Sequence, residues 1–219
     1  INIDALFSQA YAVRAMAHSN LKDYQNAIKD CQRAIEINPE QPGFYDMCGM
    51  FHRDMKQYDL AIKYHEKAIS LNPGNKKFYK NMSLVYLDAA LDAVRSHEYE
   101  KAAEFYKKAS QLDPTRNINK DLAFVYHGAC LNYFKSNDYN QAVNYCTRGI
   151  ELEPNQEYFY SLRSSAYENS GNYVLAINDL TKAIELKPEY FNNYLLRALD
   201  YEKLGEIEKA LGDYTKAIS

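Results

Sequence analysis

Apolar and aromatic residues recur along this chain with the spacing of helices, and the helices recur with a spacing of their own. The segment YFYSLRSSAYENSGNY keeps its apolar residues at helical intervals and then breaks at Gly171-Asn172. The next segment, YVLAINDLTKAIELKP, repeats the helical period and stops at Pro188, whose ring cannot continue a helix. Pro39, Pro73, Pro114 and Pro154 close similar runs: AIEINP, AISLNP, ASQLDP and GIELEP. Twelve residues before each proline stands an alanine (Ala27, Ala61, Ala102, Ala142, Ala176), and Ala210 continues the series at intervals of 34, 41, 40, 34 and 34. Sixteen residues before each alanine comes a tyrosine: Tyr11, Tyr45, Tyr86, Tyr126, Tyr160, Tyr194. Four residues after each tyrosine the side chain is small (Ala15, Gly49, Ala90, Cys130, Ser164, Ala198), as it is seven after each alanine. Such agreement predicts a repeated pair of antiparallel helices, crossing closely where small residues face one another and flanked by tyrosines. A lone hairpin cannot bury its outer face, so neighbouring units stack and share one core.

The set Tyr160, Ser164, Tyr167, Tyr173, Ala176, Ala183, Pro188 resembles the tetratricopeptide repeat, with Tyr where that family most often has Trp. The resemblance implies an all-α, right-handed superhelical solenoid of antiparallel helix pairs over residues 1–219, in units 8–41, 42–75, 76–116, 117–156, 157–190 and 191–219. With Tyr160 as position 4 and Pro188 as position 32, the first seven residues, INIDALF, match the tail of a preceding unit, and Ser219 falls inside a second helix. A window cut from a longer array is therefore the expectation. Its open ends are expected to associate weakly end to end, through Tyr214, Ala217 and Ile218. The third and fourth units carry seven and six extra residues, all before their tyrosines, and Phe78, Met82, Ile118 and Leu122 keep helical spacing there. First helices extended by nearly two turns are predicted, against longer loops at Gly74-Asn75 and Thr115–Asn117.

Position 7 is Arg14, Arg163 and Arg197 wherever position 23 is Asp30, Asp179 and Asp213; elsewhere the two positions are Cys48, Ala89, Ala129 and Tyr64, Phe105, Tyr145. A bidentate Arg–carboxylate pair between the two helices accounts for the joint appearance; shared ancestry of the units is the alternative.

Composition narrows the function. Lys+Arg 26 against Asp+Glu 29 gives a net charge of -3, which does not favour a nucleic-acid partner. No apolar run approaches the roughly 20 residues needed to cross a bilayer, so membrane insertion is not expected. Cys31, Cys48, Cys130 and Cys146 lack zinc-ligand spacing and are expected to be free, core-facing thiols, which favours a cytoplasmic location; a Cys130–Cys146 or Cys31–Cys48 disulfide is the alternative. His18, His52 and His65 occupy packing positions. No phosphate loop, catalytic triad or cofactor motif is found, so no enzyme activity is expected.

Binding remains. In the family, first helices line a concave groove through positions 2, 5, 9, 12 and 13. Carried over, these include Met16, Asp46, Met50, Arg53, Leu84, Leu87, Leu91, Phe124, His127, Leu131, Phe134, Ser161 and Ser165. The resemblance thus implies a scaffold or adaptor holding a protein or peptide ligand. A structural assembly element, or the regulatory arm of an enzyme encoded outside this segment, is the alternative. Members that grip the acidic C-terminus of heat-shock chaperones use Lys at position 5 with Asn at position 9, a set no unit here has. The apolar residues Leu84, Leu87, Leu91, Val94, Phe124, Leu131 and Phe134 mark the third and fourth units either as the anchor for a ligand or, if the longer helices tilt over them, as ordinary core, and the sequence does not favour one over the other.

Overall fold

The structure, a computed structural model, describes the backbone of residues 3–218 and the side chains of residues 6–218. Over that span it is all-α, with twelve helices and no strand: α1 (Ile3–Asn20), α2 (Tyr24–Ile37), α3 (Pro42–Asp54), α4 (Tyr58–Leu71), α5 (Lys76–Arg95), α6 (Tyr99–Leu112), α7 (Asn119–Lys135), α8 (Tyr139–Leu152), α9 (Glu157–Asn169), α10 (Tyr173–Leu186), α11 (Phe191–Lys203) and α12 (Ile207–Ile218). They fall into two compact units, Ile1–Asn117 with α1–α6 and Ile118–Ser219 with α7–α12.

The turn inside each helix pair is built the same way six times. Its hinge residue takes a left-handed conformation: Lys22, Lys56, His97 and Asn137 at φ 59, 58, 59 and 63°, Gly171 and Gly205 at 74 and 76°. The following N–H reaches back to a carbonyl five residues earlier, as Asp23 to His18 (2.9 Å) and Asn172 to Tyr167 (2.8 Å). These bonds satisfy carbonyls that the helix end would leave unpaired. The second helix then starts at a tyrosine in five pairs, with Asp23 and Asp138 accepting first-turn N–H groups.

Small residues meet where the helices cross, and Ala15, Ala27, Ala61, Ala90, Ala102, Ala142, Ala176 and Ala198 are buried. Where position 24 is large, as in His65, Tyr106 and Leu180, position 8 is Gly49, Ala90 or Ser164. A Cβ on Gly49 would lie 2.7 Å from His65 Nε2. Gly149 is likewise pressed against the fully buried ring of Phe159, which leaves no room for a Cβ.

The charge pairs and the aromatic pairs fill one and the same place. Arg163 donates from Nε and Nη2 to Asp179 (2.8 and 2.7 Å) and from Nη1 to Thr147 (2.8 Å). Its guanidinium lies 5.9 Å from the rings of both Tyr160 and Tyr167. Arg197 repeats this with Asp213, Thr181, Tyr194 and Tyr201. Arg14 holds Asp30 bidentately at 2.7 Å over Tyr11. In the other units a ring takes the space, at centroid distances of 6.5, 5.9 and 6.0 Å for Tyr45–Tyr64, Tyr86–Phe105 and Tyr126–Tyr145.

Several expectations need correction. α5 has 20 residues against 13 in α3, α9 and α11, so the two extra turns are there, burying Phe78 and Met82. α7 has only 17. Part of its insertion stays outside the helix because Asp113 accepts from both Thr115 Oγ1 (2.6 Å) and Thr115 N–H (3.2 Å), holding a turn. Residues 3–7, read as the tail of a preceding unit, continue α1 without a break, since Ala5 replaces the proline that would end a helix; residues 1 and 2 lie outside the described residues. The cysteines are not free. Cys31 on α2 is bonded to Cys48 on α3, and Cys130 on α7 to Cys146 on α8, with Cα atoms 5.8 and 5.4 Å apart. These are the two pairings that the sequence offered as the alternative to free thiols, and packing brings their sulfurs together at facing core positions. The ground for favouring a cytoplasmic location is thereby removed.

Candidate functional site

In the unit Ile1–Asn117 the first helices α1, α3 and α5 enclose a cleft of about 660 Å³. Met16, Phe44, Met47, Met50, Phe51 and Phe78 supply its apolar surface, and Gln9, Asn20, Gln41, Asn72 and Asn75 bring carboxamides to it. The groove residues Met16, Asp46 and Met50 line it, and Met16 is well exposed. Asp46 is buried. Its carboxylate accepts from both sides, from Asn81 Nδ2 (3.0 and 2.9 Å) and from the fully buried His65 through Nδ1 (2.9 Å). A charged group at the base of the cleft is thus already engaged by the chain.

Arg53 lies outside this cleft, paired with Asp54 and Asp88 at 3.2 and 3.4 Å. The apolar run on α5 is divided. Leu87 is core, Leu84 is half-buried and Leu91 is 46% exposed beside Arg53 and Asp88. In the unit Ile118–Ser219, Phe124 is exposed, while Leu131 and Phe134 are half-buried, the latter with its ring 5.7 Å from Tyr139. His127 packs edge-on against Tyr158 (4.7 Å) and Phe159 (5.9 Å), and burial holds its imidazole below the usual histidine range. The apolar strip is therefore partly core.

Ser161 and Ser165 belong to a polar seam between α9 and α11. Ser161 Oγ donates to Asn193 Oδ1 (2.5 Å), and Ser165 Oγ to the Ser161 carbonyl (3.2 Å). Asn193 Nδ2 and both carboxylate oxygens of Asp200 are buried there with no hydrogen-bond partner within the chain. Burial, and then the charge of Glu168, push the Asp200 carboxyl up to about 7. Asp92, at the same position of the third unit, shows the opposite environment. It takes Lys56 Nζ (3.1 and 2.9 Å), Tyr58 Oη (2.7 Å) and Arg95 (2.6 Å), and Lys56 first, then Tyr58, hold it down at about 2.

Sequence reading missed Phe44, Met47, Phe51, His65 and Asn81 at the cleft, because they lie outside the positions carried over from the family. Asp200 was missed as well; the signal that could have found it is an acid at a position where two other units have alanine. No helix among the described residues is long and apolar enough to cross a membrane.

No curated protein sequence matches the chain. Among solved structures, the crystal structure of MamA is 25% identical, over 78% of this chain and 92% of that one, with a TM-score of 0.45. YrrB, a TPR protein with an unusual peptide-binding site, is 21% identical, over 86% and 90%, with a TM-score of 0.43. The first TPR of Spaghetti (RPAP3), bound to HSP90 peptide SRMEEVD, is 27% identical, over 44% and 76%, also with a TM-score of 0.43. Tetratricopeptide repeat profiles match residues 8–41, 43–75, 126–156 and 158–190, more than half of the chain and four of its six helix pairs, and the chain belongs to the tetratricopeptide repeat family.

Proposed function

We propose that the chain is a non-catalytic scaffold that holds a partner polypeptide against its first helices, with the cleft among α1, α3 and α5 as the main contact. The observation that carries this reading is the surface of that cleft: three methionines and three phenylalanines combined with five side-chain amides. Methionine adapts to different apolar side chains, and carboxamides both donate to and accept from a peptide backbone. Since Asp46 is already held by His65 and Asn81, Lys77 is the other charged side chain of the lining, and the cleft suits an extended segment with a bulky apolar side chain. A chaperone's acidic terminus is a poorer match, because no unit carries the paired Lys and Asn that would hold it.

Peptides selected on the chain from a displayed library test this. They are expected to be apolar, to shift the methyl resonances of Met16, Met47 and Met50, and to lose at least tenfold in affinity for Met50→Asp. Selected peptides that bind that variant as tightly as the unsubstituted chain refute the assignment. We also propose weak self-association through α12, whose Ile207, Leu211 and Ile218 are exposed; sedimentation equilibrium should lose it with Leu211→Glu. The paired cysteines are suited to an oxidising compartment.

A further inference from the structure

The chain contains two aspartates at equivalent places, Asp92 on α5 and Asp200 on α11, each six residues after its unit's tyrosine. Around Asp92 the chain supplies its own cations. Lys56 stands at the left-handed hinge of the preceding turn, and its mostly exposed side chain runs from there to place Nζ on the carboxylate. Tyr58, at the head of α4, donates to the same oxygen. A path from solvent, past the turn, to this carboxylate is therefore one that an alkylammonium group can follow.

Around Asp200 the same framework carries different side chains. The hinge is Gly171, where a Cβ would meet nothing within 4 Å, so no lysine stem occupies the path. Glu168 stands where the other site has Arg53, and Tyr173 stands where it has Tyr58. Lys56 and Arg53 are thus replaced by a glycine and an acid and Arg95 by the exposed Lys203, which makes no hydrogen bond to Asp200, while the aspartate and the tyrosine stay. Asp200 itself is 1% exposed, and neither oxygen meets a donor of the chain. A buried carboxylate without donors is costly, and the cost falls away when a cation arrives.

We propose that Asp200, with Glu168 and Tyr173, receives a lysine side chain from the bound partner, in the place that Lys56 takes at Asp92. Because the carboxylate is buried in the free chain, binding requires the Asp200 side chain to turn toward Gly171, where no side chain fills the space. The raised affinity of this carboxyl for a proton fits a site that lacks its counter-cation. The proposal rests on the scaffold reading but uses a seam in the other compact unit. Its failure leaves the Met50 test of the cleft unaffected, and a failed Met50 test leaves this one intact.

The probe is Nα-acetyl-lysine methylamide, titrated into the full 219-residue chain above pH 8 while the carboxyl carbon of Asp200 is followed by NMR. The neutral norleucine analogue and spermidine serve as parallel arms. A saturable shift is expected with the lysine compound and none with norleucine. Asp200→Asn and Gly171→Lys should each weaken binding at least tenfold, the second because the chain then fills the site itself; the bound Ser161 and Ser165 resonances report binding where the Asp200 probe is absent. Melting curves confirm that both variants fold, and Glu168→Gln, on the half-buried rim, gives a milder loss should Asp200→Asn disturb the seam. No saturable shift, equal response to norleucine, or undiminished binding by Gly171→Lys overturns the proposal. Saturation by spermidine alone also overturns it, assigning the site to a free polyamine.

Discussion

Three arginine–aspartate pairs of the same geometry sit at two levels of arginine burial, which allows the worth of such a pair to be measured inside one molecule. Arg14 is 61% exposed in its pair, whereas Arg163 and Arg197 are 16% and 15% exposed and each gains a threonine bond from the preceding unit. Arg163→Met keeps much of the stem's apolar volume but removes all three guanidinium bonds. Asp179, itself 8% exposed, then keeps a charge with two donors lost. Leaving a buried carboxylate unpaired costs about 3–5 kcal/mol in full burial, and the residual exposure here lowers that to about 2–4 kcal/mol. For Arg14→Met the loss should be smaller, although Asp30 is as buried as Asp179, because the exposed Arg14 has no threonine bond to lose and His18 Nε2, 3.9 Å away, stays beside the carboxylate. In a chain of this size the Arg163→Met loss corresponds to a drop in Tm of about 4–16 °C. Replacing both partners, as in Arg163→Met with Asp179→Leu, should recover most of the loss, because the desolvation penalty goes with the charge. Urea melts followed by far-ultraviolet circular dichroism give all of these values and the coupling energy. If Arg14→Met costs as much as Arg163→Met, or if the double variant is as unstable as the sum of the singles, burial is not what sets the strength of these pairs.

Other consequences follow from single contacts. Removing one disulfide, as in Cys130→Ala with Cys146→Ala, should cost about 3 kcal/mol from loop-closure entropy over a separation of 16 residues, and thiol titration of the denatured, unreduced protein should find no free thiol. Gly149→Ala pushes a methyl group into the Phe159 ring and should destabilise by about 1–3 kcal/mol, seen in the same urea melts. Asp200 holds its proton more tightly folded than unfolded, so between pH ~4 and ~7 the folded chain binds more protons and stability falls as pH rises. Asp200→Asn should therefore match the unsubstituted chain near pH 4 and exceed it by about 2–4 kcal/mol at pH 8, read from melts across that range. Leu87→Asp should unfold its unit while Leu91→Asp leaves the helical signal intact, because the first is core and the second is 46% exposed.

Local chemistry, repeated six times, is what made the fold readable. Tyrosine, small residue, alanine and proline each act within one helix pair, and their spacing survives whatever the pair packs against. α5 was legible for the same reason, since Phe78 and Met82 keep its helical period. α7 was not, because one aspartate–threonine turn competes with that period and wins. The candidate site was less legible, since it depends on residues brought together from different units. Asp46 could be named as a groove residue, but its capture by His65 and Asn81 joins three helices. For the cysteines the two pairings could be named from the sequence, but not the choice between bonded and free, which depends on how closely the sulfurs approach in the packed helices.

The two disulfides differ in what they fasten. In an array whose members touch mainly their neighbours, stability can be written as an intrinsic contribution from each helix pair plus a contribution from each junction. Cys130–Cys146 joins the two helices of one pair and so raises an intrinsic contribution, leaving the junctions as they were. Cys31–Cys48 joins α2 to α3 across a junction, so the first pair cannot part from the second while the bond holds. Reduction should accordingly be felt in two different ways. Loss of the first bond lowers the melting of one pair in place, whereas loss of the second loosens cooperation between two pairs, so that hydrogen exchange in α1 and α2 becomes independent of that in α3 and α4.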